Sequence, residues 1–130
     1  MTRSALETVQ ELYGAFGARD VERILSVCAD PIDWHFVGPI QLGYTGQRRT
    51  RAELLDFFVK VAANDDIHAF EPREFIAAGE HVTVIGWEQT TGKPSGKAFE
   101  TEWVHVFTVR DGMVQRFLGL YDSAASLAAR

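Results

Sequence analysis

The 130-residue chain carries 13 Lys and Arg residues against 18 Asp and Glu residues, a formal net charge of -5. The length fits a single domain, 1–130, and is too short for two cores of ordinary size. The acidic balance argues against a nucleic-acid partner, because a phosphate backbone needs a basic surface. No apolar stretch reaches the roughly 18 residues of a membrane-spanning helix. The one cysteine, Cys28, cannot form an internal disulfide, which favours a reducing compartment and predicts a cytoplasmic location.

Apolar residues recur at helical spacing in three segments of the first half, 4–17, 20–30 and 50–64. The first and third segments begin with the Ser/Thr-x-x-Glu spacing of a capping box. The second carries Cys28 on its apolar face and is expected to end at Pro31, because the residue before a proline disfavours the helical conformation. Three helices therefore account for most of the first half.

Strand-like segments fill the second half of the chain, after one early strand at 32–37. Short turns separate them, which is typical of hairpins, and Asp111-Gly112 is a strong two-residue hairpin signal. Pro72 places the first of these segments at a sheet edge or a bulge. The predicted strands are 68–78, 82–91, 99–110 and 113–121, with a short closing helix at 124–129. This order predicts an α+β fold whose mainly antiparallel sheet is covered on one face by helices, with a pocket between the layers.

Several stretches of sequence carry a family resemblance: 12–20 (LYGAFGARD), 29–35 (ADPIDWH), 46–58, and 105–112 (HVFTVRDG) with Tyr121 after it. They are similar to the first helix, the first strand, the third helix and the last hairpin of SnoaL-like proteins. Those proteins share the nuclear-transport-factor-2-like (NTF2-like) fold with the ketosteroid isomerases. The resemblance implies an NTF2-like cone, in which N-terminal helices pack on a curved, mostly antiparallel sheet and enclose a pocket.

The catalytic groups of ketosteroid isomerases are not retained in place. Those enzymes use a carboxylate near the end of the first strand as base, and a tyrosine with a protonated aspartate as oxyanion hole. By the resemblance, Phe36 stands at the position of the base, and Leu12 at that of the tyrosine, with Tyr13 one residue away. His105 stands at the position of the aspartate. A typical ketosteroid isomerase is therefore not expected, whereas another acid/base arrangement in the same cone stays open.

His105 is the first candidate for catalysis. Strand alternation places it on one face with Trp103 and Phe107, and the resemblance turns that face toward the pocket. An imidazole can exchange a proton near neutral pH, so a general acid/base is one reading. The other is a buried neutral histidine held by a hydrogen bond. An acid or a tyrosine within hydrogen-bond reach of His105 would favour catalysis, and a lone His105 would favour ligand binding alone.

Tyr121 and Asp33 complete the candidate catalytic residues. The Tyr121 hydroxyl can hydrogen-bond a carbonyl. Asp33 is a candidate base, with His35 as its partner, if its face of the first strand lines the pocket; otherwise the pair lies at the surface. Three carboxylates of the later strands alternate out of phase with the tryptophans and are expected outside the cone: Glu88, Glu100 and Glu102.

Aromatic side chains are the candidate pocket walls, because such walls bind flat or apolar ligands well. For each of them the alternative is ordinary core packing. No metal-ligand spacing links the histidines, and no phosphate-binding loop is present in the sequence, so neither a metal nor a cofactor is expected. The predicted ligand-binding residues are Tyr13, Trp34, Phe36, Phe58, Trp87, Trp103 and Phe117.

The expected ligand is a small apolar organic molecule. If the protein is an enzyme, the expected reaction is cofactor-independent proton transfer beside a carbonyl, as in isomerisation, cyclisation or dehydration. The alternative is a non-catalytic ligand-binding or dimerisation module of the same fold. Epoxide hydrolysis of the limonene-epoxide-hydrolase type ranks last. That reaction needs an Asp-Arg-Asp arrangement, and the late strands of this chain supply only Arg116 and Asp122 near each other. A homodimer is expected, since Val104, Val106 and Thr108 present a β-branched surface on the sheet face opposite the helices, and Val82 and Val84 are expected to extend it.

Overall fold

Helices pack on one face of a six-stranded curved sheet in the computed structural model, which describes residues 2–130. The helices are α1 (Ala5–Gly17), α2 (Val21–Ser26), α3 (Arg51–Asn64) and α4 (Ser123–Ala128). The strands are β1 (Cys28–Phe36), β2 (Gly46–Arg48), β3 (Asp65–Ala78), β4 (His81–Gly92), β5 (Ala98–Arg110) and β6 (Met113–Tyr121). They lie in the order β2-β1-β6-β5-β4-β3, with β1 parallel to β6 and every other neighbouring pair antiparallel. The predicted α+β fold is confirmed.

Local chemistry fixes the ends of several elements. Both predicted capping boxes form, and Ser4 Oγ and Thr50 Oγ1 each accept the backbone N–H of the glutamate three residues on, at 3.1 Å. Asp111 and Gly112 both have positive φ, as their hairpin turn requires. Pro72 lies beside an irregularity in the pairing of β3, which is one of the two edge strands. None of the helices within residues 2–130 is long and apolar enough to cross a membrane.

The second helix is shorter than its periodicity predicts. It ends at Ser26, and Cys28 begins β1, where it pairs with Val114 and is fully buried. Pro31 lies inside the strand rather than at a helix end. Pairing of β1 with β6 therefore overrides a local pattern that fits either element. β2 occupies a segment that the sequence analysis left as a loop, and it pairs with the end of β1.

The register of the central strands decides which side chains face the helices. In an antiparallel pair, residues directly opposite one another share a face. Val82 lies opposite Phe107, Val84 opposite His105, and Gly86 opposite Trp103. These residues are all buried. The expectation that Val82 and Val84 extend the outer face of the sheet is therefore wrong, because their pairing with β5 places them on the inner face. The inner face therefore carries the even-numbered residues of β4 and the odd-numbered residues of β5.

Candidate functional site

An inner cavity of about 70 Å³ lies between the helices and the inner face of the sheet. Aromatic rings make up most of its wall. It adjoins an outer cavity of about 440 Å³, bounded by α1, α2, α3 and β3, and Tyr13, Phe16, Phe58 and Phe70 are among the residues that line both. A bound molecule can therefore place one end among the inner aromatic residues while the rest lies in the outer cavity.

His105 and Tyr13 form a hydrogen-bonded pair in this inner cavity. The Tyr13 hydroxyl lies 2.8 Å from His105 Nδ1, and the two rings are nearly parallel, with 9° between their planes. His105 also stacks on Trp103, with 4.1 Å between ring centroids. Its side chain comes from β5 and that of Tyr13 from α1, so the bond joins the two layers of the fold. His105 therefore has the tyrosine partner that the sequence analysis named as the sign of a catalytic arrangement.

Burial sets the charge state of this pair. Removal from water lowers the pKa of His105 to about 3 and raises the pKa of Tyr13 well above its usual range. Both groups are therefore neutral at pH 7. In one imidazole tautomer Tyr13 donates to Nδ1 and Nε2–H is free; in the other Nδ1–H donates and the Tyr13 O–H is free. Either way the pair retains one proton donor.

A second cluster of polar side chains lies in another part of the cavity wall. There Tyr121 meets α4 and Arg130, the residue at the C-terminal side of α4. Tyr44 donates to Asp65 Oδ2 at 2.9 Å, and its oxygen lies 2.9 Å from that of Tyr121. Tyr121 in turn donates to Ser126 Oγ at 2.7 Å. Arg130 pairs with Asp65 and donates to Tyr44 Oη at 2.9 Å. The Tyr121 hydroxyl therefore lines the cavity but is engaged in a protein network.

Glu88 lies inside the cone, which corrects the expectation that it lies outside. It lines the inner cavity, is 8% exposed, and accepts a hydrogen bond from Thr90 Oγ1 at 3.1 Å. Burial raises the pKa of Glu88 to about 7, the Thr90 hydrogen bond opposes this, and the charge of Asp65 adds to it. Gly86 is the residue that could have indicated this position, because it shares a face of β4 with Glu88. A glycine inside a strand often marks a close approach by a neighbouring group on its own face. A Cβ there would lie 2.2 Å from the Trp103 ring.

Two of the predicted site residues lie on the outer face of the sheet. Trp87 points away from the cavity, and the guanidinium of Arg73 lies 5.1 Å from its ring centroid. Asp33 is half-exposed, 3.7 Å from Arg116 Nε and 3.3 Å from Gln47 Nε2. The pleat explains both positions, because Glu88 and Trp34, the respective neighbours, occupy the inner face. His35 lies on the same side of β1 as Asp33, so this pair is not part of the cavity.

The remaining predicted residues line the inner cavity. Trp34 stacks on Phe117 with 3.9 Å between centroids, and the two rings cover one wall. Trp34 and Trp103 are each 2% exposed, and neither indole N–H has an acceptor within residues 2–130. Buried N–H groups are normally paired, so these two indoles are exceptions within the cavity wall. The predicted residues that line the cavity are Tyr13, Trp34, Phe36, Phe58, Trp103, His105, Phe117 and Tyr121.

Metal chemistry finds no support in the arrangement of ligating side chains. Over the described part of the chain, no three His, Cys, Asp or Glu residues are grouped so that they could hold a metal ion. The inner cavity offers one imidazole, one buried carboxyl and one carboxylate already paired with Arg130. These three side chains can donate or accept hydrogen bonds.

Known structures place this fold in the NTF2-like class. The chain is similar to an NTF2-like protein from Burkholderia xenovorans LB400, with 31% identity, a TM-score of 0.87, and coverage of 99% of this chain and 97% of that one. An NTF2-like protein from Burkholderia thailandensis E264 has a TM-score of 0.89 at 24% identity, over 98% and 97% of the chains. TerC, co-crystallised with polyporic acid, has 27% identity and a TM-score of 0.85 over 96% of each chain.

Within that class, the SnoaL-like domain is the family whose sequence profile matches, over residues 9–117. The chain belongs to the SnoaL-like family. A comparison with curated proteins gives no match. The resemblance to SnoaL-like proteins drawn from the sequence is thus confirmed.

Proposed function

We propose that this protein binds a small, largely apolar carbonyl compound and catalyses proton transfer beside the carbonyl without a cofactor. The reaction class is isomerisation, cyclisation or dehydration. The observation that carries the proposal is the 2.8 Å hydrogen bond between Tyr13 Oη and His105 Nδ1 inside an aromatic cavity. A neutral pair that always retains one donor suits a carbonyl oxygen, which becomes more negative as a neighbouring C–H bond breaks.

The surroundings strengthen that donor. Trp103 stacks on His105, and Phe117 packs edge-on against it at 4.8 Å between centroids. Aromatic walls exclude water, so a hydrogen bond to the developing charge acts in a medium of low dielectric constant.

The cavity dimensions limit the ligand. The inner space of about 70 Å³ admits part of a molecule, and the adjoining 440 Å³ lies within the range usual for small-ligand sites. A flat molecule that inserts its carbonyl end fits this division. Co-crystallisation of the neighbour TerC with polyporic acid supports an organic ligand for this fold.

The test uses β-tetralone, a flat ketone whose acidic C–H bonds lie beside its carbonyl. Wild-type protein should accelerate hydrogen–deuterium exchange at the carbons beside the carbonyl in heavy water. Proton NMR measures the rate of this exchange. Tyr13→Phe should reduce the acceleration by about 10–100-fold, because the variant loses the phenol of the pair. Melting curves check that the variant is folded. Exchange no faster than in buffer would contradict the proposal, and saturable binding without exchange would favour a non-catalytic binding module.

A further inference from the structure

Glu88 is the buried cavity carboxyl that the hydrogen-bond networks leave mostly unused. Its one hydrogen bond within residues 2–130 comes from Thr90, to Oε1. Asp65, the other acidic residue of the cavity wall, is held by Arg130 and by the Tyr44 hydroxyl. A buried carboxyl group of the cavity wall with a single donor keeps lone pairs that can accept a proton.

We propose that Glu88 is the residue that exchanges a proton with the bound carbonyl compound, while the His105–Tyr13 pair binds its oxygen. This inference rests on the proposed function and assigns a base to it. Glu88 and His105 both line the inner cavity, on the neighbouring strands β4 and β5. Val84 pairs with His105, and Glu88 lies four residues farther along β4, about 13 Å at the usual rise of a strand. Trp103, which pairs with Gly86, lies between the two groups along the sheet.

Several other ionisable groups line the inner cavity with Glu88. On β3, Asp65 forms an ion pair with Arg130, which follows α4. The hydroxyls of Tyr44, Tyr121 and Tyr13 face the cavity from a loop, from β6 and from α1. Burial raises the pKa of each phenol above its usual range and lowers the pKa of His105 to about 3.

Those values leave one inner-cavity group suited to proton exchange near neutral pH. Burial raises the pKa of Glu88 to about 7, where a base is both ionised and strong enough to act. His105, with a pKa of about 3, is a weak base. The sequence analysis named His105 as a candidate acid/base, with a buried neutral histidine as the alternative, and expected Glu88 outside the cone. His105 is buried and neutral, and Glu88 shares its cavity.

The step balances without any further reactant. The Glu88 carboxylate takes a proton from the carbon beside the carbonyl, and the electron pair of that C–H bond forms a C=C bond. The carbonyl π electrons move to oxygen, which accepts a hydrogen bond from the free donor of the His105–Tyr13 pair. Return of a proton from Glu88, to the same carbon or another one of the enolate, regenerates the carboxylate. In heavy water the carboxyl exchanges first, and the carbon gains deuterium.

The experiment measures the pH dependence of β-tetralone exchange in wild type, Glu88→Gln, His105→Gln and Glu102→Gln. Glu88→Gln keeps the shape of the side chain and an acceptor for Thr90. Glu102→Gln is the matched control, because Glu102 lies on the exposed face of β5.

Wild type should show a rate that rises through an inflection near pH 7 as Glu88 ionises. Glu88→Gln should lose the inflection and about 10²–10⁴ in rate, with β-tetralone affinity within about threefold. His105→Gln should lower the rate and keep the inflection, and Glu102→Gln should follow wild type. A Glu88→Gln variant that keeps the wild-type rate and inflection would overturn the role of Glu88 alone. A wild-type protein that gives no exchange would overturn the proposed function, and this inference with it.

Discussion

Single residues in the cavity give the protein two opposite responses to pH. His105 is buried as a neutral imidazole, and Glu88 is buried as a carboxyl that resists ionisation. The face of β5 on which His105 lies could be predicted from the alternation of that strand. Its charge state could not, because burial among Trp103, Phe107 and Phe117 is a property of the folded packing. Each residue therefore makes its own contribution to the pH dependence of the free energy of unfolding.

The first prediction concerns acid unfolding and His105. Below about pH 6.5 the unfolded imidazole binds a proton, whereas the folded one does not until about pH 3. The free energy of unfolding should therefore fall with decreasing pH in that window, with His105 contributing about 1.4 kcal/mol per pH unit. Urea unfolding of His105→Gln should lack this part of the slope, while His81→Gln, at an exposed site, should keep it. Identical slopes in wild type and His105→Gln would contradict the burial of a neutral imidazole.

The second prediction has the opposite sign and concerns Glu88. The unfolded carboxyl ionises near pH 4.5 and the folded one near pH 7, so the native state loses stability as pH rises between these values. Relative to wild type, Glu88→Gln should gain about 3 kcal/mol in unfolding free energy between pH 4.5 and pH 8. Glu102→Gln should show no such gain in the same urea titrations. A flat difference for Glu88→Gln would mean that this carboxyl ionises normally.

The helices and strands can be predicted from periodicity, but the residues of β4 that face the cavity cannot. Capping boxes and the 3.6-residue spacing predict α1 and α3, and alternation with the Asp111-Gly112 turn predicts β5 and β6 within a residue. Alternation alone leaves the phase of β4 open. Trp87 is the more apolar of two neighbours, yet Glu88 takes the inner face, because register with β5 places Gly86 against the Trp103 ring. Phase is a property of strand pairing, which a single segment does not contain.

Gly86→Ala tests that contact directly. Its Cβ would lie 2.2 Å from the Trp103 ring, so Trp103 or β4 must shift. We expect a loss of about 1–3 kcal/mol in unfolding free energy, measured by urea titration, as for overpacking elsewhere. Gly17→Ala is the matched control, because its Cβ would meet nothing within 4 Å, and it should stay within about 0.5 kcal/mol of wild type. Wild-type stability in Gly86→Ala would contradict the close packing of Trp103.

At the scale of the whole molecule, the uncovered face of the sheet is the feature that the fold leaves open. Val104 and Val106 point away from the helices and are half-buried, and Leu120 is 41% exposed. The inner face of the same strands forms the cavity. We propose that a second copy covers the outer face, because apolar sheet faces tend to be covered and twofold pairs are the commonest solution.

Sedimentation tests this homodimer. The wild-type protein at about 10 µM should sediment with twice the 14.5 kDa mass of one chain. Val106→Lys places a charge in the middle of the outer face and should give the single-chain mass with unchanged melting in dilute solution. A wild-type protein that sediments as one chain at that concentration would contradict the pairing, and the cavity would be unaffected.

Indole N–H resonances report most directly on the central claim, that the aromatic cavity is the ligand site. The chain has three tryptophans, of which Trp34 and Trp103 line the cavity with unpaired N–H groups and Trp87 lies on the outer face. Proton–nitrogen NMR spectra would be recorded while β-tetralone is added, with the three signals assigned by Trp→Phe variants. The Trp34 and Trp103 signals should shift with a common saturation curve, and the Trp87 signal should stay in place. Saturation at Trp87 alone, or no shift at Trp34 and Trp103, would contradict the account.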